Sequence, residues 1–198
     1  MHSMSESATL REIKRWLTSH RITLCAQRLT EDRGLDGFTM DELAEVAEVS
    51  RRTLFNYFPG KVDAVLGAVP EIPPADLAAF QAGGPHGNLL DDLGSLGQAL
   101  LAVKEPDRGE IELGRRVLTG TPRLLIAAHE RFELLTEEFV ALVLAREGED
   151  FGTGRARLAV RILVSVFDAA LLSFLEDDRN TVADLFDQHL RDARSLLA

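Results

Sequence analysis

The chain has 198 residues, 45% hydrophobic and 27% charged, enough to bury a core in one domain or two small ones. Its single cysteine, Cys25, rules out an internal disulfide and a cysteine-cluster metal site and suits a reducing compartment, where a small buried hydrophobe in a helix is its plain role. The formal net charge of -10 argues against a polyanionic partner until it is resolved along the chain: residues 1–69 hold 9 Lys and Arg against 10 Asp and Glu, residues 70–198 hold 13 against 22.

Residues 1–9 are polar and lack the apolar run of a secretory signal, so a cytoplasmic location is expected. From there on apolar residues recur every three or four positions with no sustained alternation, which predicts an all-α chain. A first helix is expected over about 7–32, ending at Gly34, followed by three short ones. The prolines of 70–74 mark a domain junction, giving domains 1–69 and 70–198. A short helix around 77–80 ends before Gly83-Gly84-Pro85, and helices near 89–104 and 109–118 follow. Thr121 as N-cap and Pro122 in the first turn start a long helix that stops at Gly148. Thr153 is expected to cap a helix to about 177, and Thr181 the last one, through 197. Residues 158–175 approach membrane-span length, but Arg161 and Asp168 would each cost roughly 2.5–3.5 kcal/mol at a bilayer centre, so a soluble helix with no membrane partner is the reading.

The informative stretch is 38–61. Thr39-Met40-Asp41-Glu42 has the form of a capping box, which starts a helix whose Leu43, Val46 and Ala47 are expected to face inward. Glu48-Val49 makes a turn, and Ser50 caps a second short helix that ends before Pro59-Gly60. Two short helices across so tight a turn form a helix-turn-helix, whose second member enters the major groove of DNA by its N-terminal end. Between Ser50 and Lys61 stand Arg51, Arg52 and Lys61 and no acid, a local basic face of the kind phosphate contact needs. Leu54 and Phe58 lie four apart and can pack inward, leaving Arg51, Arg52, Thr53, Asn56 and Tyr57 for the groove. Arg suits guanine, Asn suits adenine, and the Thr methyl suits thymine.

These residues carry a resemblance. Thr39-Met40-Asp41-Glu42-Leu43-Ala44, Ala47-Glu48-Val49-Ser50 and Thr53-Leu54-Phe55-Asn56-Tyr57-Phe58-Pro59-Gly60-Lys61, with Arg21, Leu24, Ala26, Leu29, Gly34 and Phe38 upstream, resemble the N-terminal signature of the tetracycline-repressor (TetR) family. The match spans about a quarter of the chain. It implies phosphate contacts from Thr39, Ser50, Tyr57 and Lys61 and base contacts from Arg51, Arg52, Thr53 and Asn56. Two positions depart from the pattern: Glu48 stands where the family usually has a turn glycine, so the turn must be one a non-glycine residue can enter, and Phe55 replaces a common tyrosine and its hydroxyl.

The resemblance further implies a C-terminal helical domain that binds a ligand and pairs through its last two long helices. In the helix over 153–177, Leu158, Ile162, Ala169 and Leu172 make one apolar stripe and Leu163, Phe167, Leu171 and Phe174 another, so that helix must be covered on two sides, by its own core and by a second subunit. A two-fold dimer implies a palindromic double-stranded DNA operator. Arg161 and Asp168 on this apolar helix read first as paired charges within the interface or core. The candidate effector residues are His129 and Phe132 on the long middle helix and Phe167 and Asp168 on the next, for an unidentified small molecule of hydrophobic or amphipathic character.

No enzyme is expected. The five histidines lack metal-ligand spacing, and there is no Gly-x-Ser-x-Gly elbow, no Walker loop and no dinucleotide fingerprint, so catalytic residues, metal and cofactor are all expected to be none. The sequence thus predicts an all-α protein with an N-terminal three-helix DNA-binding domain and a C-terminal helical ligand-binding and dimerisation domain, acting as a repressor that an effector releases. An activator of the same family, or a helical protein-interaction module, are the alternatives.

Overall fold

The computed structural model describes residues 2–69, 71–102, 107–177 and 179–197, and these form ten α-helices with no strand. They are α1 (His2–Arg33), α2 (Met40–Val46), α3 (Arg51–Tyr57), α4 (Lys61–Leu66), α5 (Pro74–Gln81), α6 (Leu89–Leu101), α7 (Arg108–Gly120), α8 (Pro122–Glu147), α9 (Thr153–Glu176) and α10 (Val182–Leu197). The all-α expectation and the order of elements hold. Pro70, at the expected junction, and Lys104, the expected end of α6, lie outside the described residues.

Local chemistry places most boundaries. Gly34 ends α1 at φ +75, a conformation without steric cost only for glycine. Gly148, at φ +87, closes α8, its N–H bonding Leu144 O at 2.9 Å. α10 starts as its cap predicts: Asp184 N–H donates to Thr181 Oγ1 at 3.0 Å, and the Thr181 hydroxyl donates back to Asp184 Oδ2 at 2.7 Å. Thr153 does not cap α9 but is its first helical residue. The cap is Gly152, because a 3-10 turn at Glu149–Phe151 between two glycines of positive φ delivers the chain to the helix without a side-chain cap.

The chain divides into two compact units, one of Met1–Val69 with Gly109–His129, the other of Pro70–Arg108 with Glu130–Ala198. The segment 109–129, which a cut at residue 70 assigns to the C-terminal part, packs into the first unit. Its Leu113, Val117 and Leu124 are buried in one core with Ile22, Ala26, Phe38, Leu43 and Leu54. Polar links reinforce that docking: Arg116 Nε donates to Glu31 at 2.7 Å, and His20, stacked on Trp16, meets Glu110 at 3.0 Å.

In the second unit α6 packs on α5, α9 and α10. A Cβ on Gly97 of α6 would stand 2.7 Å from Phe186 Cζ, so α6 and α10 approach as closely as a glycine allows. Asp92 of α6 is fully buried. Its Oδ2 accepts from Arg146 Nη2 of α8, and its Oδ1 accepts from the His86 backbone N–H at 2.6 Å. Arg146 also donates to Gly83 O at 3.2 Å and lies over the Phe80 ring at 4.7 Å.

Candidate nucleic-acid interface

The helix-turn-helix is built by bonds that span three or four residues. Thr39 Oγ1 accepts from Glu42 N–H at 3.1 Å, and Glu42 Oε2 accepts from Thr39 N–H at 2.7 Å, so the capping box forms in both directions and fixes where α2 starts. The Thr39 N–H and the Thr39 hydroxyl, which donates to the same Oε2 at 3.0 Å, hold the Glu42 carboxyl below its ordinary pKa, with Arg33 beside it. Leu43 and Ala47 are fully buried, as expected, but Val46 is 53% exposed and Ala44 takes the inner place. In so short a helix the pair four apart sets the inward face and turns the flanking Val46 out.

The turn depends on Glu48, which adopts φ +52, the left-handed region, alone among the described non-glycine residues. Its N–H bonds Glu45 O at 3.0 Å and the next N–H, of Val49, bonds Ala44 O at 2.9 Å, so the ladder over-determines the conformation. The departure from glycine at this position is thus accommodated by a side chain held in a conformation glycine would adopt freely.

α3 begins at Ser50, whose Oγ accepts from Thr53 N–H at 3.0 Å and sits 2.7 Å from the Thr53 hydroxyl. Leu54 and Phe58 are buried at 0% and 3% exposure and Tyr57 packs beside them, which turns Arg51, Arg52, Phe55 and Asn56 outward. Arg51 reaches Asp41 of α2 at 3.1 Å and lies over the Phe55 ring at 5.7 Å. Arg52 is exposed and its side chain has no partner among the described residues. Lys61 is held inward: Nζ donates to Phe38 O at 3.0 Å, stands 4.0 Å from Asp36 and lies over the Phe38 ring. Thr39, Ser50, Arg51, Arg52 and Asn56 are therefore exposed and Thr53 partly so, while Tyr57 and Lys61 are half in the core. Sequence spacing does not mark Asp41 as a companion of Arg51, because that contact crosses the turn, whereas Phe55 lies four residues on in the same helix.

Of the four candidate effector residues, His129 belongs to the first unit, and Phe132, Phe167 and Asp168 to the second. All four are exposed in the single chain, Phe132 and Phe167 at 38% each, so none is enclosed. The buried side of α9 carries Val160, Leu163, Val166 and Phe174, while Leu158 and Leu172 of the other stripe are 60% and 43% exposed. Arg161 and Asp168 lie on that exposed side, and neither is buried. A helix of α9's length and hydropathy could by composition cross a membrane, yet its one well-buried side and its two mid-helix charges fit a soluble core helix with one side uncovered.

Residues 22–67 match the profile of the bacterial regulatory proteins of the tetR family, which covers α2, α3 and α4 and the C-terminal part of α1. The chain is 28% identical over 169 residues to the HTH-type transcriptional regulator TcmR of Streptomyces glaucescens, covering 81% of this chain and 72% of that one. Its fold is similar to a solved chain described as a TetR-family transcriptional regulator from Mesorhizobium loti, with a TM-score of 0.53 at 20% identity, over 92% of this chain and 96% of that one.

Proposed function

We propose that the chain, whose residues 22–67 match the tetR-family profile, is a regulator of that family: a dimeric repressor that a small-molecule effector releases from a palindromic operator. The observation that carries the reading is the outer side of α3. Two buried apolar residues, Leu54 and Phe58, fix the helix's rotation so that Arg51, Arg52 and Asn56 are exposed and Thr53 partly so, beside a capped N-terminus. A helix N-terminus with such side chains suits phosphate oxygens and base edges at once. Thr39 and Ser50 flank it as phosphate contacts. Tyr57 and Lys61, half inside, serve the frame as well as the phosphate.

The effector site belongs to the C-terminal helices, with an apolar lining and a hydrophobic or amphipathic ligand. Because His129, Phe132, Phe167 and Asp168 are exposed in the single chain, a role for them requires further covering, which a second subunit could supply. Release follows if the effector favours a dimer whose recognition helices are wrongly spaced, with a coupling of about 1–3 kcal/mol.

Selection of duplexes from a random pool, with Arg52→Ala in parallel, tests the DNA reading. A near-palindromic motif is expected, and Arg52→Ala should cost about 1–3 kcal/mol and relax preference at one position of each half-site. Lack of enrichment across a range of salt concentrations, or a motif without two-fold symmetry, would count against the reading.

A further inference from the structure

The side of α9 that its own unit leaves open reads alike in both directions. Leu158, Arg161, Ser165, Asp168 and Leu172 follow one another at steps of three or four, and all five are exposed. Such steps place them on one stripe of the helix. Ser165 is its midpoint. The leucines lie seven residues to either side of it, and the two opposite charges lie four before and three after. Neither charged side chain has a partner among the described residues, although ion pairs are formed elsewhere in the chain, as by Arg157 with Glu137 at 2.7 Å. The Ser165 hydroxyl donates to Arg161 O at 2.9 Å, so the stripe's centre is small and its polar atom is already satisfied.

We propose that α9 pairs with the partner's α9 in one antiparallel register, with the two-fold axis at Ser165. The proposal rests on the dimer reading above and adds its geometry. Antiparallel pairing about residue 165 brings Arg161 within one residue of the partner's Asp168, and Leu158 level with the partner's Leu172, each contact occurring twice. A parallel pairing in register would set arginine on arginine and aspartate on aspartate, so charge selects the antiparallel arrangement. The small central serine lets the helices cross closely, as ridges-into-grooves packing requires where two axes approach. The exposed leucines are then covered and the two mid-helix charges are paired.

The test uses the full chain carrying Cys25→Ala. Arg161→Asp and Asp168→Arg are each expected to raise the dimer dissociation constant, measured by sedimentation equilibrium, at least about tenfold. Mixing the two variants should restore association, because each then meets an opposite charge twice. Ser165→Cys should cross-link to itself on oxidation, whereas Leu158→Cys should not, its copies standing about 21 Å apart along the antiparallel axes. A monomeric parent chain would remove the dimer reading and the register with it. A dimeric parent with indifferent charge variants, no recovery on mixing, or cross-linking at 158 in place of 165 would overturn the register and leave the dimer standing.

Discussion

Replacing Asp92 by alanine should be among the most damaging single changes in the second unit. Asp92 is fully buried and Arg146's side chain is 5% exposed, so each neutralises the other away from water. Arg146 Nη1 already lacks an acceptor among the described residues, and without Asp92 the guanidinium would keep Gly83 O and the partly exposed Glu147, 3.1 Å from Nε. The freed His86 N–H would lose its acceptor as well. Leaving a buried charge without its buried partner costs up to about 3–5 kcal/mol, less whatever the partly exposed Glu147 returns, and is a large share of the roughly 5–15 kcal/mol that holds a domain together. Arg146→Met alone should cost a similar amount, whereas Asp92→Leu with Arg146→Met, which removes both charges, should recover most of the loss. Urea unfolding followed by helical circular dichroism at one fixed protein concentration measures this. With a slope of about 2–3 kcal/mol per molar, the single changes should move the midpoint down by up to about 1–2.5 M. A shift under about 0.3 M for Asp92→Ala, or a double variant as unstable as either single one, would refute the argument.

Gly97→Ala, which would gain about 1 kcal/mol from helix propensity at an open site, should instead lose about 1–3 kcal/mol because its methyl meets the buried Phe186 ring; a raised melting temperature would contradict the close α6–α10 approach. Glu48→Gly should stabilise the chain slightly, by up to about 1 kcal/mol, since relief of the left-handed strain exceeds the added chain entropy. Thermal melts showing a loss greater than about 0.5 kcal/mol would mean the side chain contributes more than its long, exposed contact with Arg21 suggests. The depressed pKa of Glu42 contributes stability that is fully present above the ordinary glutamate value and lost as pH falls through the lowered one. Denaturation of Glu42→Gln should accordingly show a weaker acid dependence than the parent chain, and identical slopes would remove the capping carboxylate from the account.

What could be read in the sequence is what is local. Thr39 with Glu42, Ser50 with Thr53 and Thr181 with Asp184 are each three residues apart, and the helix that brings them together also bonds them. Leu54 and Phe58 set the rotation of α3 by the same short arithmetic. Contacts that depend on the path of the chain between distant elements stayed hidden: Arg51 with Asp41 across the turn, Lys61 on the Phe38 carbonyl, and Asp92 with Arg146 more than fifty residues away. The docking of 109–129 on the first unit was hidden for the same reason, since a proline-rich junction at 70 says nothing of where a later helix returns. α9 misled in another way. A helix apolar nearly all round gives no phase, so the sequence left Arg161 and Asp168 as paired charges of either interface or core, and packing puts them on the side that the chain's own unit leaves open.

The lone cysteine gives the DNA-reading unit a stopwatch. Cys25 is half-buried on α1 with its sulfur 3.7 Å from the Val46 carbonyl at the end of α2, and burial pushes its thiol pKa up. In the closed arrangement its partial burial and lowered thiolate fraction slow capture by a disulfide reagent, so any opening of α2 from α1 should speed labelling. With no second thiol in the chain to blur the signal, the labelling rate follows those openings. A bound duplex that clamps the motif should slow the count, and the chain would report its own occupancy without any added dye.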